Sequence, residues 1–164
     1  MRKDEYDAAK GEESVWDYPR PPQLEQVDEV VRIFHNGVKI VETKSAYRVL
    51  ETSHPPVFYI PRSAIDSQFL VESDRQTYCE YKGIAKYFSL SIGSVNVENA
   101  GWYYPNPVKE FEEITNHLAF YPSKLDRCEV GEEIVQAQEG DFYGGWITSK
   151  IKGPFKGGAG TFGW

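Results

Sequence analysis

Hydrophobic and polar positions alternate with a period of two along much of the chain. From Val30 to Thr43 the sequence VVRIFHNGVKIVET sets two such runs on either side of Asn36 and Gly37, residue types that accept the positive φ of a type I′ turn. The pattern predicts a hairpin in which His35 faces Val38, Ile33 faces Ile40 and Val31 faces Glu42, with Val31, Ile33, Val38 and Ile40 on the core side. Further on, Ile84, Lys86, Phe88, Leu90 and Ile92 alternate with Ala85, Tyr87, Ser89 and Ser91, which predicts a long half-buried strand. VFYIP, GWYYP and HLAFYP read as shorter strands.

Two stretches change period. Ser45 stands where it can cap a short helical turn over SAYRVLE, before Pro55 and Pro56 stop regular structure. Val108, Phe111, Ile114 and Leu118 fit one amphipathic helix of about three turns, with Glu110, Glu112 and Glu113 outward. Many short strands around one main helix predict a mainly β, or α+β, fold.

The ends differ from the middle. Residues 1–14 are polar and aperiodic and predict a mobile arm; residues 15–140 predict a single β-rich domain. Within it, ESVWDYPRPP predicts an extended strap anchored by Trp16 and Tyr18, because Pro19, Pro21 and Pro22 hold the backbone open. Residues 141–164 form a tail of glycines and aromatics that cannot build a core alone, so it is either disordered or laid over the body.

Composition narrows the classes. The chain has 164 residues, enough for one domain, and a formal net charge of −7, which disfavours nucleic acid as a partner. No apolar run approaches the ~20 residues of a membrane span, and the start has no apolar leader core, so no membrane partner and a cytoplasmic location are expected. Cys79 and Cys128 stand 49 positions apart with no CxxC pair, which predicts two reduced thiols, no metal site and no cofactor.

Chemistry gathers in RVLETSHPP, where Arg48, Glu51, Thr52 and His54 lie just before a rigid Pro-Pro stop. Arg48 can clamp a carboxylate or phosphate, Glu51 can accept a proton, and His54 titrates near neutrality. An internal Arg48–Glu51 ion pair with His54 capping a loop accounts for the same residues. A second cluster, YCEYKG, sets Cys79, Tyr81 and Lys82 at a turn into the long strand. Cys79 is a nucleophile if Lys82 or a folded-in His54 stabilises its thiolate, and a core filler otherwise. Tyr59, Tyr81, Trp102 and Tyr121 can wall a pocket for a flat ligand or serve as ordinary strand packing. Cys128 and His117 have no chemical neighbours in sequence and read as structural. The Gly- and Lys-bearing tail lacks the GxxxxGK[ST] spacing of a phosphate loop.

ESVWDYPRPP, the NG turn, RVLETSHPPVFYIP, YCEYKGIAKYFSL, WYYPNP and LAFYP together closely resemble the bacterial, fungal and algal family called domain of unknown function 427, over about residues 13 to 126. The resemblance implies compact, strongly bent antiparallel sheets of the β-tent type, similar in topology to methionine sulfoxide reductase B and the Mss4 guanine nucleotide exchange protein. Relatives of that topology often hold zinc on paired CxxC knuckles, which this chain lacks. The family also carries a nucleotidyltransferase label, but the chain has neither a glycine-serine turn followed by D-x-D or D-x-E nor a P-loop. Three functions follow: a binder of a small polar or anionic metabolite, an enzyme using Cys79 or the Glu51/His54 pair, or an interaction module docking its tail or arm onto a partner or a second copy in a homodimer. The pocket-like cluster favours the first.

Overall fold

Runs rich in Val, Ile, Tyr and Phe pair edge to edge as their alternation demands, in several small sheets. In the computed structural model, which describes residues 12–140 and 143–156, the strands begin with β1 (Glu13–Ser14), β2 (Gln23–Gln26), β3 (Val31–His35), β4 (Val38–Thr43), β5 (Tyr47–Leu50) and β6 (Val57–Tyr59). They continue as β7 (Leu70–Cys79), β8 (Gly83–Ile92), β9 (Val95–Tyr103), β10 (Ala119–Phe120) and β11 (Arg127–Val130). Four two-residue strands follow: β12 (Glu133–Ile134), β13 (Gln136–Ala137), β14 (Trp146–Ile147) and β15 (Ile151–Lys152).

The larger sheets have the orders β10-β9-β8-β7, β12-β11-β3-β4 and β2-β5-β6, all antiparallel; the small β1-β15 pair is parallel. The mainly β class expected from the pattern holds. Among the described residues no helix is long and apolar enough to cross a membrane.

Three local expectations are corrected. The NG hairpin forms, with Asn36 at φ 51° and Gly37 at φ 74°, and His35 does face Val38. A register shift between Ile33 and Phe34 then sets Ile33 opposite Val41 and Val31 opposite Thr43. The extra residue turns both Ile40 and Val41 inward, while Val38, expected in the core, is 37% exposed.

SAYRVLE is not helical. Its centre is β5, the middle strand between β2 and β6, where Tyr47 and Val49 suit a pleated surface and partners wait on both edges. The helix expected from Val108 to Leu118 shrinks to a 3-10 stretch, Lys109–Ile114, kinked at Phe111. Phe111 and Ile114 are buried and the three glutamates exposed, as the spacing requires. Asn116, at φ 61°, then turns the chain so that Leu118 bridges Ile60 in extended form.

Strands β8 and β9 serve two cores. Phe88, Leu90, Ile92 and Tyr103 join one cluster with β3, β4 and β11; Ala85, Tyr87 and Trp102, on the opposite face, join a second with Tyr59, Tyr104 and Tyr121. Ile84, although in phase with Phe88, is 48% exposed, because it stands at the turn end of the β7–β8 hairpin opposite the exposed Tyr78. Strand β7 is the free edge, and its pairing with β8 breaks between Glu72 and Gln76.

The strap and the described part of the tail lie on the body. Val15, Tyr18 and Ile151 share a small cluster, and Trp16 Nε1 donates to Pro154 O at 3.0 Å. Trp146 is fully buried, stacks on Phe58 at 4.9 Å and donates from Nε1 to Phe120 O. The remainder of the expected arm and tail, residues 1–11, 141–142 and 157–164, lies outside the described residues.

Gly101 stands where the sheet leaves no room for a side chain. A Cβ there would sit 1.9 Å from Ala119 O and 2.7 Å from Phe88 Cζ. Because a carbonyl in the β9–β10 ladder cannot yield, we expect Gly101→Ala to cost on the order of 3 kcal/mol or more in urea unfolding; a loss below ~1 kcal/mol would show that β10 shifts freely.

Candidate functional site

A cavity of about 250 Å³ opens on the second, aromatic core. Each wall comes from a different part of the chain. Strands β6 and β9 bring Tyr59 and Trp102, which meet edge to face at 6.4 Å. Tyr104, just past β9, lies tilted against Tyr59 at 6.3 Å, and Tyr121, just past β10, packs on Trp102 at 4.8 Å. Ala85 and Tyr87 supply the strand β8 side, with Thr77 Oγ1 3.2 Å from the Tyr87 hydroxyl.

The β7–β8 turn carries Cys79, Tyr81 and Lys82 to the same cavity. It is tight because Lys82 N donates to Cys79 O and Gly83 adopts φ 107°. Lys82 is only 8% exposed, its carbonyl accepts from Val108 N, and its ammonium lies 5.6 Å from the Phe111 ring centroid.

Glu51 and His54 reach the cavity from a loop gripped on both sides. Thr52 Oγ1 donates to Tyr18 O, Ser53 N donates to Val15 O at 3.0 Å, and Lys156 N donates to Ser53 O at 2.8 Å. Ser53 is fully buried at φ 71°, a turn that directs His54 inward before Pro55. His54 Nδ1 lies 3.0 Å from Thr52 O; a carbonyl only accepts, so Nδ1 carries the proton in the neutral ring and Nε2 is left as an acceptor.

The cavity's electrostatics are uneven. Burial pushes the His54 imidazole below its ordinary pKa, with Lys156 and Lys82 adding to the effect and Glu51 and the Thr52 carbonyl opposing it. Burial likewise raises the hydroxyls of Tyr59 and Tyr104 well above the usual phenol range, so both remain neutral donors. Among the described residues neither Lys82 nor Lys156 has a carboxylate within ion-pair distance.

Of the residues singled out from sequence, Glu51, His54, Tyr59, Tyr81 and Lys82 converge here, together with Cys79, Trp102 and Tyr121. Arg48 does not. It faces a separate hollow, where its guanidinium meets Glu13 Oε1 at 2.5 Å and Glu25 Oε1 at 2.6 Å. Strand parity explains this: Arg48 and Val49 are adjacent in β5, so when Val49 lines the aromatic cavity Arg48 points the other way. Although burial opposes it, hydrogen bonds from Arg48 and Tyr18 hold the Glu13 carboxyl below the usual range. The internal ion pair exists, but with Glu13 and Glu25 in place of Glu51. Thr52 is also outside the cavity, its hydroxyl committed to the strap.

Tyr87, Tyr104, Gln138, Tyr143 and Lys156 line the cavity without having been singled out. For two of them a signal existed: Tyr104 is two positions from Trp102, and Tyr87 two from Ala85, so each shares a strand face with a neighbour in the wall. Lys156 carries no local signal, since only the path of the tail brings it to Ser53. His117 and Cys128 do not line the cavity: His117 Nδ1 lies 3.2 Å from Thr115 O, and burial pushes the Cys128 thiol up to about 12. Among the described residues no three His, Cys, Asp or Glu side chains converge as a metal-ligand set.

Fold and site together define a small, mainly β protein with a ring-walled, partly charged cavity. The sequence profile of the family described as a domain of unknown function, DUF427, matches residues 23–131, and the chain belongs to that family. The match starts after the ESVWDYPRPP strap and ends before Gln138, Tyr143 and Lys156. No curated protein matches the chain.

The depressed His54 pKa has a consequence for stability. Above the ordinary value of 6.5 both folded and unfolded chains hold it neutral; as pH falls, the unfolded chain takes up the proton first, so stability drops and levels off below the folded-state pKa. His117 shifts in the same sense, also through burial. We expect the melting temperature to fall between about pH 7 and about pH 5, and His54→Asn to flatten part of that fall. Identical profiles for parent and variant would contradict it.

Proposed function

We propose that this cavity binds a small, flat metabolite that carries a negative charge. One observation supports the reading above the rest: in a chain of net charge −7, Lys82 and Lys156 face a ring-walled cavity with no carboxylate partner among the described residues. Partly desolvated ammonium groups are costly unless an anion meets them, and tyrosine and tryptophan faces suit a planar ring. At about 250 Å³ the cavity falls at the small end of ligand sites, which favours one or two rings over a nucleoside triphosphate.

A second reading, an enzyme acting on such a ligand, draws on Cys79, Glu51 and His54 lining the same cavity. With His54 neutral and Nε2 an acceptor, the pair can take a proton from a bound molecule or from the Cys79 thiol. Its mark is conversion of a bound acid, lost in Cys79→Ser or Glu51→Gln with binding retained.

The binding reading is tested with nicotinate and benzoate against their neutral amides. At about ten times the dissociation constant, ligand adds ~1.4 kcal/mol, a melting shift of about 3 to 6 °C for a chain of this size. We expect the acids to shift the parent and Arg48→Ala alike, and Lys82→Gln to abolish the shift. Failure of every ring acid to shift the parent would refute the reading.

A further inference from the structure

The cavity is built by two stretches of different standing. Residues 49–121 supply all but one of its tyrosine and tryptophan rings, with Lys82, Cys79, Glu51 and His54, and fall within the family match at 23–131; Gln138, Tyr143 and Lys156 come from beyond it. This outer wall is anchored to the body. Strands β13 and β14 pair, Trp146 N donates to Pro56 O at 2.8 Å, and a Cβ on Gly145 would meet Pro55 Cγ at 2.4 Å. Gln138, 5% exposed, accepts from Gly145 N through Oε1 at 3.0 Å and donates through Nε2 to Lys156 O.

Lys156 is therefore fixed through its main chain on both sides: its carbonyl by Gln138, and its N–H by Ser53 O, one residue before His54. Its side chain takes no part in either of these main-chain bonds. The ammonium has no carboxylate partner among the described residues, lies 5.8 Å from the Tyr143 ring centroid, and acts on the His54 imidazole. A backbone held by two hydrogen bonds, carrying a cation at the wall of a ring-lined cavity, has the form of a selectivity element.

We propose that Lys156 is the specificity-determining residue of the cavity, and that it receives the negative end of the ligand. The ligand class is a flat ring bearing a carboxylate or a phosphate, the two anions that an ammonium donor accepts equally well. The family-matched body takes the ring and supplies one cation, Lys82; the C-terminal segment supplies the second, which discriminates among the charged groups. This rests on the proposed binding function and adds to it the residue that discriminates.

The experiment is isothermal titration of nicotinate, phenyl phosphate and nicotinamide into the full-length parent, Lys156→Gln and Lys156→Arg. Because the main-chain bonds of Lys156 persist in both variants, their circular dichroism and ligand-free melting are expected to match the parent. Lys156→Gln is expected to weaken one or both anions by about tenfold or more, to leave nicotinamide unchanged, and to be rescued by Lys156→Arg; the anion that loses more identifies the natural head group. Equal anion affinity in the parent and Lys156→Gln overturns the assignment of Lys156 while the binding function stands. Equal weakening of all three probes also overturns it, since Lys156 would then shape the cavity without reading charge. Absence of binding to the parent refutes the function itself and this inference with it.

Discussion

A β-strand has two faces, and in this protein β8 and β9 give each of them to a different apolar cluster. Trp102 and Tyr103 are neighbours in the chain yet belong to opposite sides of the sheet. The register that buries Phe88, Leu90 and Ile92 is therefore the same register that lines the cavity with Ala85, Tyr87 and Trp102. A slip by one residue would exchange the two sets, so the cavity cannot be lost without losing the core. The absence of a side chain at Gly101, where a Cβ would strike Ala119 O of β10, is part of the same constraint.

What could be read from the residues followed from how local the determining forces were. The NG turn, the β8 alternation and the strand nature of VFYIP rest on neighbours in sequence, and they form. The Ile33/Phe34 register shift was invisible because it serves Ile40 and Val41 together, a packing demand set by other strands. The stretch around Val49 became a strand because β2 and β6 flank it, which no local propensity reveals. In the cavity, Glu51, His54, Cys79 and Lys82 were visible as clusters before rigid or turning backbone. Arg48 was grouped with them by proximity in the chain, while its strand parity sends it to Glu13 and Glu25. Lys156 was illegible because more than a hundred residues separate it from the loop it joins.

Charge pairing separates the two hollows. Around Arg48, two carboxylates and a tyrosine hydroxyl consume the local charge, and the result is a cross-link between strap, β2 and β5. Around Lys82 and Lys156 the described residues offer no equivalent counter-charge within ion-pair distance, and Glu51, which lines the same cavity, acts on His54 against the two lysines. An acidic surface thus surrounds a locally cationic interior, an arrangement that concentrates field in the cavity and leaves the exterior unattractive to polyanions.

The break in β7 has its own consequence. An exposed ten-residue border strand is a template on which foreign strands can grow into insoluble ladders. Here the regular pairing is interrupted between Glu72 and Gln76, Arg75 folds back over Tyr87 and Ser73 ties to Asn99, so the strand keeps regular geometry only in two short runs, Leu70–Glu72 and Gln76–Cys79. Each run is shorter than the roughly six or seven residues of a typical fibre-forming segment, so the irregularity blunts this border as bulges do on sheet edges generally.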